Sequence, residues 1–216
     1  MAFEAELLTT AEAAVVSGVG VRDVNRLIDE HILPEDLYVN EDSRRVWAGS
    51  CAFIRFYYGT ADALTAPERK YAIAVVCREA KTRDAVRLIK TWRNTRPSWR
   101  VEHSFLTLHF DRFIADTLAE HDKLTRASAA VVEDPEILGG TPVIKGTRVP
   151  VHDVAASAAA GISPERIKTS YPSLTDEMIE LAILYAKATP PRGRPRHMRT
   201  LAPASSSRKV ARRRRP

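Results

Sequence analysis

The sequence predicts a mainly α-helical chain with small β-hairpins, arranged as two compact units and a basic tail. Three observations lead there. Apolar residues recur at three- and four-residue spacing between capping and breaking residues. Short apolar runs flank polar turns at 38–47 and 142–149, which is the pattern of a hairpin. Ten of the 33 Lys and Arg residues, and none of the 27 Asp and Glu, fall within 192–216, so the chain before them is mildly acidic.

A chain of 216 residues is long enough for one large or two small domains with real cores. Composition divides it into a region of mixed helices and short strands at 1–110, a connecting helix at 111–130, a three-helix unit at 131–188, and a disordered tail at 189–216. Thr9 precedes Glu12 by three residues, the spacing of a capping box, so a first helix runs from there to Ser17. Gly18-Val19-Gly20 forces a tight turn. A second helix over 21–30 places Val24, Leu27 and Ile28 on one face and Arg22, Asn25 and Arg26 on the other. Pro34 closes the unit. Tyr38-Val39, a polar turn and Arg44-Arg45-Val46-Trp47 then form a small hairpin with a basic edge.

Residues 51–110 say less. Pro67-Glu68 opens a helix to Glu79, 84–92 forms another, and 101–110 alternates as one strand with Leu106, Leu108 and Phe110 on a common face and His103 and His109 on the other. Residues 111–127 form one helix, with Phe113, Ile114, Leu118 and Leu124 on its apolar stripe. Lys145-Gly146 is the turn of a second hairpin. Three helices follow: 153–160, ended by Gly161; one opened by Ser163-Pro164-Glu165; and one from Thr175 to about Ala188 with Met178, Ile179, Ala182, Ile183 and Ala186 inward.

Helix, glycine-containing turn, helix and basic-edged hairpin is the order of a winged helix-turn-helix. The stretch 9–47 resembles the N-terminal part of MerR-type DNA-binding domains. In that setting Arg22, Asn25 and Arg26 face base edges, because arginine pairs with guanine and asparagine with adenine, while Arg44 and Arg45 meet phosphate. Asp23, Asp29 and Glu30 oppose this reading, since phosphate repels them. The plainer alternative is an amphipathic helix with a solvated polar face.

A second resemblance is longer. Asp134-Pro135, Gly139-Gly140-Thr141-Pro142-Val143-Ile144, Gly146-Thr147-Arg148-Val149-Pro150-Val151, Gly161-Ile162-Ser163, Tyr171-Pro172-Ser173-Leu174-Thr175 and Tyr185-Ala186 resemble a small bacterial domain long labelled only as of unknown function. Its members look like VapB-type antitoxins. The resemblance implies a homeodomain-like three-helix fold, a PIN-like ribonuclease toxin as partner, and a preceding DNA-binding region. Asp176, Glu177 and Glu180 would stand unfavourably against phosphate, so toxin contact or dimerisation suits this unit better than base reading. Gly139-Gly140-Thr141 and Lys145-Gly146-Thr147 match no phosphate-binding fingerprint and are explained as turns.

The tail has two physical uses. Arg192-Gly193-Arg194, with Pro195 and Arg196 after it, has the core of an AT-hook, in which glycine lets the backbone sit deep in the minor groove and arginines extend along it. Alternatively Arg192, Arg194, Arg196 or Arg199 pairs with the metal-binding carboxylates of a nuclease toxin. Residues 212–215 form a plain electrostatic arm.

No nucleophile elbow, HExxH, P-loop or Cys/His cluster is present, so the chain is not expected to be an enzyme or to need a cofactor, metal or small-molecule substrate. The acidic start lacks the pattern of a signal peptide and no apolar run spans a bilayer, which with two distant cysteines, Cys51 and Cys77, predicts a cytoplasmic protein away from membranes. The expected function is that of an antitoxin that binds its operator DNA as a homodimer and neutralises a PIN-like ribonuclease toxin. The alternative is a stand-alone transcriptional regulator without a toxin partner.

Overall fold

The structure is a computed structural model that describes residues 6–41, 43–82, 100–103 and 106–191. These are mostly helical, with small antiparallel sheets. Strand β1 (Leu7–Thr9) leads directly into helix α1 (Thr10–Ser17). The capping box is formed in full: the Glu12 backbone N–H donates to Thr9 Oγ1 at 3.2 Å, and the Thr9 N–H donates to Glu12 Oε2 at 2.7 Å. Gly18 ends α1 at φ 71, a left-handed conformation that costs glycine nothing, and its N–H closes back on the Ala14 and Val15 carbonyls. Helix α2 (Val21–Asp29) buries Val24, Leu27 and Ile28, as its periodicity predicts.

Strands β2 (Tyr38–Asn40) and β3 (Arg44–Trp47) pair antiparallel, with Asn40 opposite Arg44 and Tyr38 opposite Val46. The hairpin is as predicted, but β3 is also the centre of a three-stranded sheet, because β1 pairs along its other edge with Leu8 opposite Val46. Nothing local in Leu7–Thr9 announces a strand; β3 supplies the partner. Helix α3 (Cys51–Gly59) was not anticipated either. It buries Phe53, Ile54, Phe56 and Tyr57, so it is apolar over too wide an arc to show a clear stripe. Helix α4 (Ala66–Thr82) follows.

The predicted single strand at 101–110 is instead a hairpin. Strands β4 (Arg100–His103) and β5 (Leu106–His109) pair antiparallel, with Arg100 opposite His109 and His103 opposite Leu106, so the two histidines sit on different strands. An alternating pattern fixes which residues share a face but not where the chain reverses. The predicted helix at 84–92 lies outside the described residues.

Helix α5 (Asp111–Ala129) turns Thr117, His121, Leu124 and Ala127 inward. Strand β6 (Val131–Val132) pairs with β7 (Val143–Ile144). Between them Leu138, Gly139 and Gly140 take consecutive positive φ values of 49, 64 and 83. Two glycines are therefore required by a left-handed turn, in keeping with their reading as turn residues. The Lys145-Gly146 turn is closed by the Thr147 N–H on the Ile144 carbonyl at 3.0 Å, and the Ile144 N–H reaches Val149 O at 3.0 Å. Helices α6 (Val151–Ala159), α7 (Pro164–Ser170) and α8 (Asp176–Ala188) complete the chain. Ser163 and Thr175 cap the last two by accepting from the Arg166 and Met178 N–H groups.

Two hydrophobic clusters result. One gathers Leu8, Val16, Val24, Leu27, Ile54, Phe56 and Phe110. The other gathers Ile144, Val151, Val154, Ile167, Ile179 and Tyr185. Helices α5 and α8 belong to both. Leu124 lies in the first cluster and Ala127 in the second, while α8 carries Ile179 in the second and Ala188 in the first. α8 packs against α1, α5 and α6. No helix among the described residues is long and apolar enough to cross a membrane.

Candidate nucleic-acid interface

The polar face of α2 and the neighbouring hairpin hold five of the predicted site residues. Helix position puts Arg22, Asn25 and Arg26 together, because residues three and four apart are neighbours on a helix. Arg22 is exposed and makes no ion pair among the described residues. Arg26 is exposed too, but its Nε lies 2.7 Å from Glu30 Oε1, and that hydrogen bond holds the guanidinium pKa above its ordinary value.

Asn25 has both of its polar atoms hydrogen-bonded within the protein. Its Nδ2 donates to Val21 O at 3.1 Å, and its Oδ1 accepts from an Arg44 terminal nitrogen at 3.3 Å. The other terminal nitrogen of Arg44 lies 2.7 Å from Asp29 Oδ1. Asn25 and Asp29 are one helical turn apart, so a single guanidinium spans the turn and fastens β3 to α2.

Arg45 goes elsewhere. Side chains alternate along a strand, so Arg45 and Arg44 leave β3 on opposite faces. Arg44 shares its face with buried Val46, while Arg45 is exposed on the other, beside Thr9 of β1 and Val39 of β2. The structure thus brings Arg44 to the helix face and turns Arg45 away from it. The predicted tail residues Arg192, Gly193, Arg194, Arg196 and Arg199 lie outside the described residues.

The two acids of α2 and Glu30, which follows it, each have a local task. Asp23 Oδ2 accepts the Gly20 N–H at 2.9 Å, capping the helix; Asp29 meets Arg44, and Glu30 meets Arg26. Internal pairing leaves this face close to neutral. Of the four arginines, Arg22 and Arg45 make no ion pair among the described residues and can meet an anion without breaking one.

The face is held from below by residues that sequence reasoning missed. Tyr58 of α3 donates its hydroxyl to Asp23 O at 3.1 Å. Burial, then the nearby Asp23 carboxylate, push its phenol up to about 12. Arg55 of α3 donates to Val16 O at 3.0 Å, placing a cation at the C-terminal end of α1 where the helix dipole favours it. The aromatic and basic residues of α3 were visible in sequence; their target was not.

In the C-terminal unit, Lys168 lies 2.8 Å from Asp176, Arg126 lies 3.8 Å from Glu177, and Glu180 is exposed. The Tyr185 hydroxyl donates to Glu133 Oε1 at 2.9 Å. Both cysteines are buried, and burial pushes the Cys51 thiol up to about 12. Among the described residues no group of three or more His, Cys, Asp or Glu is placed to hold a metal ion.

Fold and face together define a mostly helical protein with small antiparallel sheets and a polar helix surface braced by a hairpin. Residues 131–186 match the family described as "Protein of unknown function (DUF433)". Over 214 residues the chain is 48% identical to the "Uncharacterized protein y4eO" of Sinorhizobium fredii, covering 97% of this chain and 95% of that one. The chain belongs to the same family as that Sinorhizobium protein. A crystal structure of Rv2018 from Mycobacterium tuberculosis aligns with 85% of this chain and 99% of its own at 17% identity and a TM-score of 0.36, a likeness too distant to inform fold or function.

Proposed function

We propose that the protein is a DNA-binding antitoxin, which represses its own operon through the N-terminal unit and neutralises a PIN-like ribonuclease through the C-terminal unit and tail. The observation that carries the DNA half is the bracing of the β2–β3 hairpin against the solvated face of α2 by Arg44. Helix α1, a three-residue turn, α2 and a hairpin beside it have the order and proximity of a winged helix-turn-helix. Nine residues make α2 about 14 Å long, a length that lies comfortably in a major groove about 12 Å wide. Arg22 and Arg26 then face base edges, and Arg45 meets phosphate from the flank.

The toxin half rests on the likeness of 134–188 to VapB-type antitoxins. The three helices α6, α7 and α8 support a homeodomain-like reading. The start of α8 presents Asp176, Glu177 and Glu180, which suits a protein partner better than phosphate. Because the α2 face is nearly neutral, nonspecific attraction to DNA falls to the ten cations of 192–216. A homodimer matches a palindromic operator by symmetry.

The test pairs two assays on the full chain. Gel shifts on the DNA upstream of its own gene should show specific binding that Arg22→Ala weakens by on the order of 1–3 kcal/mol. Co-expression should silence a ribonuclease encoded next to it. Changing Arg192 and Arg194 to Ala separates the tail's two uses: a minor-groove hook loses A·T-rich affinity, whereas a toxin plug loses neutralisation alone. Operator binding without any neutralised neighbour leaves the stand-alone regulator. Absence of specific DNA binding removes both readings.

A further inference from the structure

Asparagine reads adenine by offering its amide oxygen and nitrogen together along one edge. Asn25 has that edge engaged within the protein: the nitrogen is bent back onto Val21 O of its own helix and the oxygen is held by Arg44 of the hairpin. Arg44 is in turn committed to Asp29 at 2.7 Å, a charge-assisted bond stronger than a neutral one. Presenting Asn25 to a base means giving up two hydrogen bonds. Presenting Arg44 to a phosphate means giving up an ion pair and releasing the hairpin. Arg22, one turn before Asn25 on the same face, gives up nothing. Arg26 must first leave Glu30.

Resting on the DNA-binding reading above, we propose that Arg22 is the residue that sets base specificity and that it selects guanine in duplex DNA, while Arg44 is a positioning residue that withholds Asn25 from the groove. A guanidinium meets guanine O6 and N7 with two parallel hydrogen bonds, so one free arginine suffices for discrimination. The Asn25–Arg44–Asp29 brace holds the hairpin against the helix and leaves Arg22 outside it. It also removes the adenine preference that the composition of the face suggests.

The experiment is selection from random DNA duplexes at fixed salt with the full-length protein, followed by sequencing of the bound pool. The wild type should enrich a motif with an essential guanine. Arg22→Ala should lower that preference at least tenfold with an unchanged melting temperature. Asn25→Ala should leave the motif intact. Arg44→Ala frees the Asn25 oxygen and should add an adenine preference beside the guanine, which Arg44→Ala/Asn25→Ala removes again; a residue that merely stiffened the hairpin would not change which base is read. Loss of an adenine preference in Asn25→Ala alone, or an unaltered motif in Arg22→Ala, overturns this assignment while DNA binding stands. A wild-type pool with no enrichment over the input overturns the DNA-binding reading itself.

Discussion

Replacing Ile179 by Ala tests whether the two hydrophobic clusters are one folding unit. Ile179 is 2% exposed and sits in the second cluster, on the helix that delivers Ala188 to the first. The substitution removes three buried carbons, worth about 0.8 kcal/mol each by transfer, and leaves a cavity that only partly collapses. The combined cost is about 3–4 kcal/mol. At this chain length the melting temperature falls by about 2–4 °C per kcal/mol, so a drop of roughly 6–16 °C is expected. Calorimetry should show one transition moving as a whole. Hydrogen exchange should show the slowest amides of α2, whose buried residues lie in the first cluster, exchanging on the order of 100-fold faster, since about 1.4 kcal/mol is tenfold. Faster exchange confined to 143–188, with α2 unchanged, would refute the reasoning and make the two clusters independent.

Three further outcomes follow from single contacts. Thr9→Ala removes the acceptor of the Glu12 N–H and should destabilise the protein by about 1 kcal/mol in chemical denaturation; no loss would mean that the cap adds nothing beyond the β1–β3 pairing. Burial first, and then the Glu133 hydrogen bond, raise the Tyr185 phenol from 10.0 to about 12. A raised folded-state pKa means stability that is complete below pH 10 and lost as pH climbs from 10 towards 12, so melting temperature should fall across that window and fall less in Tyr185→Phe. Ending the chain after Pro191 leaves both clusters whole, so the truncated protein should keep its cooperative melt; a broad, noncooperative one would assign the tail to the core.

Much of the local structure was legible because its causes lie within a few residues of one another. Thr9 with Glu12, Ser163 and Thr175 mark helix starts through bonds spanning three residues, and these caps form as their spacing predicts. The Val24, Leu27 and Ile28 stripe of α2 and the 38–47 hairpin are periodic patterns with a turn between them, equally local.

Tertiary structure decided everything that needs a distant partner. Strand β1 exists because β3 offers it an edge, and the reversal within 100–109 was invisible to an alternation that continues across it. A helix buried over most of its circumference, as α3 is through Phe53, Ile54, Phe56 and Tyr57, shows no narrow stripe to read. His121 on α5 is 2% exposed yet has its Nε2 2.9 Å from Glu6 Oε2, a partner more than a hundred residues away. The candidate site divides in the same way. Helical periodicity alone puts Arg22, Asn25 and Arg26 on one face. Which of them is free to act depends on Arg44 arriving from 19 residues beyond Asn25, and on the strand alternation that carries Arg45 to the other side. Sequence determines which residues can be neighbours through the period of the backbone; only packing determines which hydrogen-bonding groups are already satisfied, because satisfaction depends on partners that the chain brings back from afar.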